Sequence, residues 1–204
     1  FTGVLYANDI YITQVGDTLD LDITQDGADN KVGTSTTDAT LNGDGMTFSI
    51  TQTGSYNTIA AVIKGSTYTG TWDFTGSSNT VDMDCSSAAA GSCDTVTLNI
   101  TNTGDSNSYE FDIGEVGDAD NAVINFTTTG DNSIINTTID GQSAALTVIM
   151  NNSSSLATTS AASNEGNTIT TTQTGNGDSV GHTIALDVTG GGGTVDITQS
   201  GVND

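Results

Sequence analysis

Ile50-Thr51-Gln52-Thr53-Gly54-Ser55-Tyr56-Asn57 is one copy of a phrase to which the chain keeps returning: an apolar residue, Thr, Gln, any residue, Gly, two more residues, Asn. Earlier it reads Ile12-Thr13-Gln14-Val15-Gly16 and Ile23-Thr24-Gln25-Asp26-Gly27-Ala28-Asp29-Asn30. The chain closes on Ile197-Thr198-Gln199-Ser200-Gly201-Val202-Asn203. Degenerate copies lie between, around Gly76 and Asn79, Gly104 and Asn107, and Gln173 and Gly175. A small repeat cannot bury an apolar face alone, whereas stacked neighbours can.

The spacing sets the size of the unit. Gly16 and Gly27 are 11 residues apart and Gly54 and Gly76 are 22 apart. Eleven residues hold a strand of about five or six and a tight turn, and no helix. Two such units make a flattened coil of about 22 residues, so the fold predicted is all-β: a β-solenoid with two short strands per coil. Irregular inserts are expected around 33–45, 84–95 and 151–166. Period-two alternation predicts that Phe48, Ile50 and Gln52 share one face, as do Ile59, Ala61 and Ile63. Gly after the strand admits positive φ, and Asn three residues later can bond back to the turn or itself tolerate the left-handed region. Coils stack about 4.8 Å apart, so Gln14, Gln25, Gln52, Gln173 and Gln199, each two residues before Gly, are expected to be buried in amide ladders.

Composition agrees. Proline is absent, glycine numbers 25, and Lys and Arg together number 2. Val, Ile and Thr favour strands. The chain reads as a single repeat domain over 1–204, with 1–9 as an N-terminal extension or a strand donated to a neighbour. Phe1-Thr2-Gly3-Val4-Leu5-Tyr6-Ala7 reads either as the tail of a signal sequence or as a strand. No segment reads as a transmembrane span. The net charge of −23 excludes a nucleic-acid surface, which needs Lys or Arg, and disfavours an anionic membrane.

Little points to catalysis. His182 is the sole histidine, and without Arg an anionic transition state has few stabilisers. No catalytic or cofactor-binding residue is assigned. Asp26, Asp29, Asp118 and Asp120 are candidate Ca²⁺ ligands, as are the alternating pairs Asp20/Asp22 and Asp82/Asp84, but none forms an EF-hand or a Gly-Gly-x-Gly-x-Asp repeat. Cys85 and Cys93 bracket a Ser/Ala/Gly loop and are expected to form a disulfide, which implies an oxidising compartment. Runs such as Thr127-Thr128-Thr129 and Thr170-Thr171-Thr172 suggest a flat ice-binding face, although Thr-x-Thr reads as not repeating at one register.

Gln14-x-Gly16 followed by Gln25 resembles the curlin repeat, Gln-x-Gly-x-x-Asn-x-Ala-x-x-x-Gln. Gln52-Thr53-Gly54-Ser55-Tyr56-Asn57 and Gln25-Asp26-Gly27-Ala28-Asp29-Asn30 are similar to its first half; where the second Gln would follow Gln52 stands Ile63. Similar repeats occur in fibrous structural proteins of marine bacterial viruses. The resemblance implies a cross-β-like solenoid that polymerises into an extracellular, biofilm-type fibre.

A solenoid is open at both ends. Here both ends, Ile10-Tyr11-Ile12-Thr13-Gln14 and Thr194 to Gly201, are well-formed repeats rather than polar caps. The partner expected is therefore another copy, stacked head to tail, in a cell-surface filament. Alternatives are a virion fibre or decoration protein that touches other virion proteins, and a monomeric surface adhesin or ice-binding solenoid.

Overall fold

The computed structural model describes residues 8–34, 36–85, 94–113, 120–130, 134–139, 145–151, 155–160, 168–174, 183–188 and 194–200. Among these there are eighteen strands and no helix. In chain order they begin β1 (Asp9–Ile10), β2 (Thr13–Val15), β3 (Asp20–Asp26), β4 (Lys31–Val32), β5 (Ala39–Asn42) and β6 (Thr47–Thr53). There follow β7 (Thr58–Lys64), β8 (Thr69–Thr75), β9 (Thr80–Cys85), β10 (Thr97–Thr103), β11 (Ser108–Ile113) and β12 (Val123–Thr129). The last are β13 (Ile134–Ile139), β14 (Ala145–Asn151), β15 (Ser155–Ser160), β16 (Thr168–Thr174), β17 (Thr183–Val188) and β18 (Thr194–Ser200).

From β5 onward successive strands alternate between two sheets, while β1 with β2, and β4 with β5, lie in one; neighbours within a sheet come from successive coils. One sheet runs β1-β4-β7-β9-β11-β13-β15-β17, with β2 and β5 completing its first two layers. The other runs β3-β6-β8-β10-β12-β14-β16-β18. Every strand pair is parallel, the arrangement of a β-solenoid. Equivalent residues recur after 27, 22, 28 and 26 residues, so each coil is the 22-residue unit with or without an insert.

Alternation decides which residues meet. In β8, Gly70, Trp72 and Phe74 are buried while Thr69, Thr71, Asp73 and Thr75 face water. Phe48, Ile50 and Gln52 turn inward together, as do Ile59, Ala61 and Ile63. The core is thus a set of columns. In the second sheet Ile23, Ile50, Trp72, Ile100 and Phe126 stack. In the first, Val32, Ile59, Val81, Tyr109 and Ile135 do so. Opposing columns interlock around Tyr109, whose ring lies 4.7 Å from Phe126 in an edge-on contact and 6.3 Å from Phe111. Gly70 leaves a gap in its column that Tyr68 and Leu98 fill; a Cβ there would lie 2.8 Å from both. Trp72 completes its burial by donating Nε1–H to Phe48 O at 3.1 Å.

Two kinds of corner join the sheets. Gly27, Gly54, Gly76, Gly104 and Gly130 leave the second sheet; Gly16, Gly43 and Gly65 leave the first. Gly54 has φ +125° and sits on Gly27, where a Cβ would overlap the Gly27 carbonyl. The left-handed residue is the one before Asn, not Asn: Asp29 (φ 59°), Tyr56 (φ 64°), Ser78 (φ 62°) and Ser106 (φ 60°). Asn is free to do something else there, described below.

The inserts are smaller than expected. Only 33–38 interrupts the first sheet within 33–45, closed by a Thr34–Thr37 antiparallel bridge, and Ala39–Asn42 is already strand β5. Within 151–166, Ser155–Ser160 is strand β15, recruited by pairing with β13 and β17 despite its polar sequence. Asn8 and Asp9, expected in an extension over 1–9, belong to the first coil: Asn8 bonds Asn30, and β1 pairs with β4. Residues 86–93, with Cys93, lie outside the described residues.

Candidate assembly interface

The Asn corner is a continuous hydrogen-bonded column. Asn30, Asn57, Asn79 and Asn107 are buried, and each donates Nδ2–H to the carbonyl of the Gly three residues before it, at 2.7–2.9 Å. Each of Asn57, Asn79 and Asn107 also accepts, through Oδ1, the backbone N–H of the preceding Asn, at 3.1, 3.0 and 2.8 Å. The column starts at Asn8, which donates to Asn30 Oδ1 at 3.3 Å. Among the described residues the column runs from Asn8 to Asn107.

The Gln residues behave differently. Gln25 and Gln52 are buried and stacked, with Gln52 Nε2 donating to Gln25 Oε1 at 2.7 Å. In the next coils this column holds Phe74, Asn102 and Thr128, with Asn102 donating to Thr128 Oγ1 at 3.0 Å. It continues through Met150 to Gln173 and Gln199, which stand in register. Gln14 does not join. It lies in the other sheet, in a column continued by Leu41, Ile63 and Cys85, and its amide turns to Gly16 O. The expected five-residue ladder is therefore two Gln pairs, one in the coils at each end.

Those ends expose core. At the start, partly buried Ile10, Ile12, Leu19 and Leu21, with Gln14 and the buried Ile23, line an open cavity of about 600 Å³. At the finish, Val195 and Ile197 occupy inward columns yet are 46% and 48% exposed. The strands beside them, β3 and β18, are the two edges of one parallel sheet.

The lateral faces differ in charge. Outside the first sheet stand Asp82, Asp84, Glu110 and Asp112, stacked in register. Burial raises the Asp82 carboxyl above its ordinary range, and Asp84, Glu110, Asp38 and Asp112 raise it further. Asp44 is held below that range by the backbone N–H and hydroxyl of Ser66, at 2.7 and 2.9 Å. Outside the second sheet, β6 to β12 present Thr in vertical register: Thr47, Thr69 and Thr97; Thr53, Thr75, Thr103 and Thr129. Thr thus aligns in single columns that unequal coil lengths hide in the sequence, while Thr-x-Thr itself is interrupted in β8, where Asp73 stands in register with Thr51, Thr101 and Thr127.

Of the Ca²⁺ candidates, Asp26 ends β3 and Asp29 lies in the next corner; Asp120 lies in a corner of the other kind. Among the described residues no three His, Cys, Asp or Glu side chains come together as a metal site. Asp118, Gly175, His182 and Gly201 lie outside the described residues. Cys85 is buried at the end of β9 beside Ile63 and Ile113.

The chain matches no family model, no curated protein and no solved structure, so its likeness to curlin repeats rests on the repeat residues themselves.

Proposed function

We propose that this chain is the structural subunit of an extracellular filament and assembles head to tail through its open solenoid ends. The observation that carries the reading is the incomplete burial of inward-column residues at both ends, partly buried Ile10, Ile12 and Leu21 at one and half-exposed Val195 and Ile197 at the other. Fully burying an aliphatic side chain contributes about 1.5–3 kcal/mol. Several half-buried ones, with the backbone bonds of two added strands, outweigh a surface repulsion of about 1 kcal/mol per like-charged pair. A contact between unlike ends does not close on itself and propagates as a filament. The Cys85/Cys93 pairing expected from the sequence favours an oxidising, extracellular setting.

Electron microscopy of the purified chain, with and without Ca²⁺, tests this. Uniform filaments one subunit wide are the expected result, and monodisperse short rods in both conditions would refute it. Co-purification of filaments with capsids would make the subunit a virion fibre.

A second reading is favoured by the Thr columns of β6 to β12: a monomeric solenoid that presents a flat hydroxyl and methyl array to ice or to a polysaccharide surface. β-Branched side chains hold few rotamers on such a sheet. Thermal hysteresis from a chain that stays monomeric would favour it, and its absence would dismiss the ice-binding form.

A further inference from the structure

We infer that the copies stack in one register: β18 of one chain pairs in parallel with β3 of the next, with Val195 opposite Leu21, Ile197 opposite Ile23 and Gln199 opposite Gln25. The inference rests on the filament reading and adds the contact that the reading leaves open.

Three observations fix the register. The first is direction. Because β3 and β18 are parallel edges of one sheet, a translated second copy meets β18 with a strand already running the right way.

The second is the match between the two edge strands. Asp20-Leu21-Asp22-Ile23-Thr24-Gln25-Asp26 and Thr194-Val195-Asp196-Ile197-Thr198-Gln199-Ser200 carry the same inward series, aliphatic, Ile, Gln, and share Asp, Ile, Thr and Gln at equivalent places. A one-residue slip would turn every inward residue outward. A two-residue slip would set Gln199 against Ile23 and leave Gln25 without an amide. The chosen register also sets Asp20 opposite Thr194 and Asp26 opposite Ser200, so that only Asp22 and Asp196 meet as like charges.

The third is where the glutamines are. In register, Gln stands in one column in the first two coils and the last two, with Phe74, Asn102, Thr128 and Met150 at that position in the coils between. Inside one molecule these are two unrelated pairs. In the stack they are consecutive, Gln173, Gln199, then Gln25 and Gln52 of the next copy, an unbroken amide ladder across the junction. The Gln52–Gln25 bond at 2.7 Å supplies the geometry, Gln52 donating toward the N-terminal end. Gln25 Nε2 donates to Asn8 O at 2.6 Å and, more weakly, to Lys31 O at 3.4 Å; in the stack the N–H on the longer contact turns to the oxygen of Gln199. A buried amide group left without a partner is costly, so a continued ladder opposes registers that break it.

The test is a pair of cysteine variants in the full chain. Thr24 and Thr198 face water, and the register places them directly opposite one another, about 4.8 Å apart. Thr24→Cys with Thr198→Cys should give a ladder of covalent oligomers on non-reducing gels after mild oxidation of assembled filaments. Asp22→Cys with Thr198→Cys, two residues out of step, lies beyond disulfide reach and should give none. Filaments that cross-link through the second pair, or through neither, would overturn the register while leaving the filament reading intact. Absence of filaments from the unsubstituted chain would overturn both. On unsubstituted filaments grown from differently isotope-labelled chains, solid-state NMR should show intermolecular Ile197–Ile23 proximity. That measurement decides the matter if the variants assemble poorly, and failure to see the proximity counts against the register.

Discussion

Asn57 holds Asn30 of the preceding coil: its side-chain oxygen accepts the Asn30 backbone N–H at 3.1 Å, while its own amide donates to Gly54 O at 2.7 Å. One side chain thus closes its own corner and ties that corner to the preceding coil. Both groups it satisfies are buried or nearly so, and a buried donor left without a partner costs about 1–3 kcal/mol. Asn57→Ala should therefore destabilise the chain by about 2–4 kcal/mol, measured by denaturant unfolding. Asn57→Asp should cost at least as much, because it keeps the acceptor but loses the donor and buries charge. A loss under about 0.5 kcal/mol would mean that the column is incidental to stability.

Stacked glycines should show position dependence that sequence similarity hides. Gly16 and Gly54 occupy equivalent places in their corners, with φ +130° and +125°. A Cβ on Gly54 overlaps the Gly27 carbonyl, whereas one on Gly16 meets nothing closer than Gln14 Nε2 at 3.8 Å. Gly16→Ala should carry only the backbone strain, about 1–3 kcal/mol. Gly54→Ala should exceed it clearly or prevent folding, since the overlap is with backbone in the coil beneath. Equal thermal shifts in the two variants would contradict the packing.

Much of this architecture was legible because it depends on local chemistry. Alternation placed Phe48, Ile50 and Gln52 inward, and Gly with Asn marked the corners. What stayed hidden depends on which residues stack, and that needs coil lengths. With steps of 27, 22, 28 and 26 residues, no fixed period aligns Thr53, Thr75 and Thr103, or shows that Gln14 stands above Leu41 rather than another Gln. One distinction was present in the sequence and missed. The residue after the left-handed one is Asn at 30, 57, 79 and 107 but apolar at Leu19, Met46, Tyr68, Val96 and Ala122, which separates the two corners. Strand β15 was missed because Ser155-Leu156-Ala157-Thr158-Thr159-Ser160 has little propensity of its own; the strands on either side supply its pairing.

The acidic face should make stability fall as pH rises through the range where Asp82 ionises. Burial and the neighbouring carboxylates raise its folded-state pKa above the unfolded value, so between the two values the folded chain binds more protons. The stabilising effect of protonation is complete below the unfolded pKa and lost above the folded one. Asp82→Asn should raise the unfolding midpoint at neutral pH and flatten its acid dependence. Asp44 works in the opposite sense: its lowered pKa stabilises above the unfolded value and that contribution is lost on acidification. An Asp82→Asn midpoint unchanged at pH 7 would show that solvent screens the cluster fully.

Assembly should respond to salt through one pair of residues. In the register inferred above, Asp196 of one copy lies over Asp22 of the next, about 4.8 Å away on an exposed face. In water that repulsion is about 1 kcal/mol at low ionic strength, worth roughly fivefold in the association constant. Raising salt to about 1 M shortens the screening length to about 3 Å and removes most of it. Asp22→Asn should accordingly lower the critical concentration for filament growth by up to about fivefold in dilute buffer and leave it nearly unchanged at high salt. Asp26→Asn, opposite Ser200 in that register, should give a smaller change under the same conditions. Light scattering across a concentration series measures both. Equal effects of the two substitutions would point to the overall charge of the end rather than to a particular pairing. An Asp26 effect larger than the Asp22 effect would place a different residue of β18 against β3.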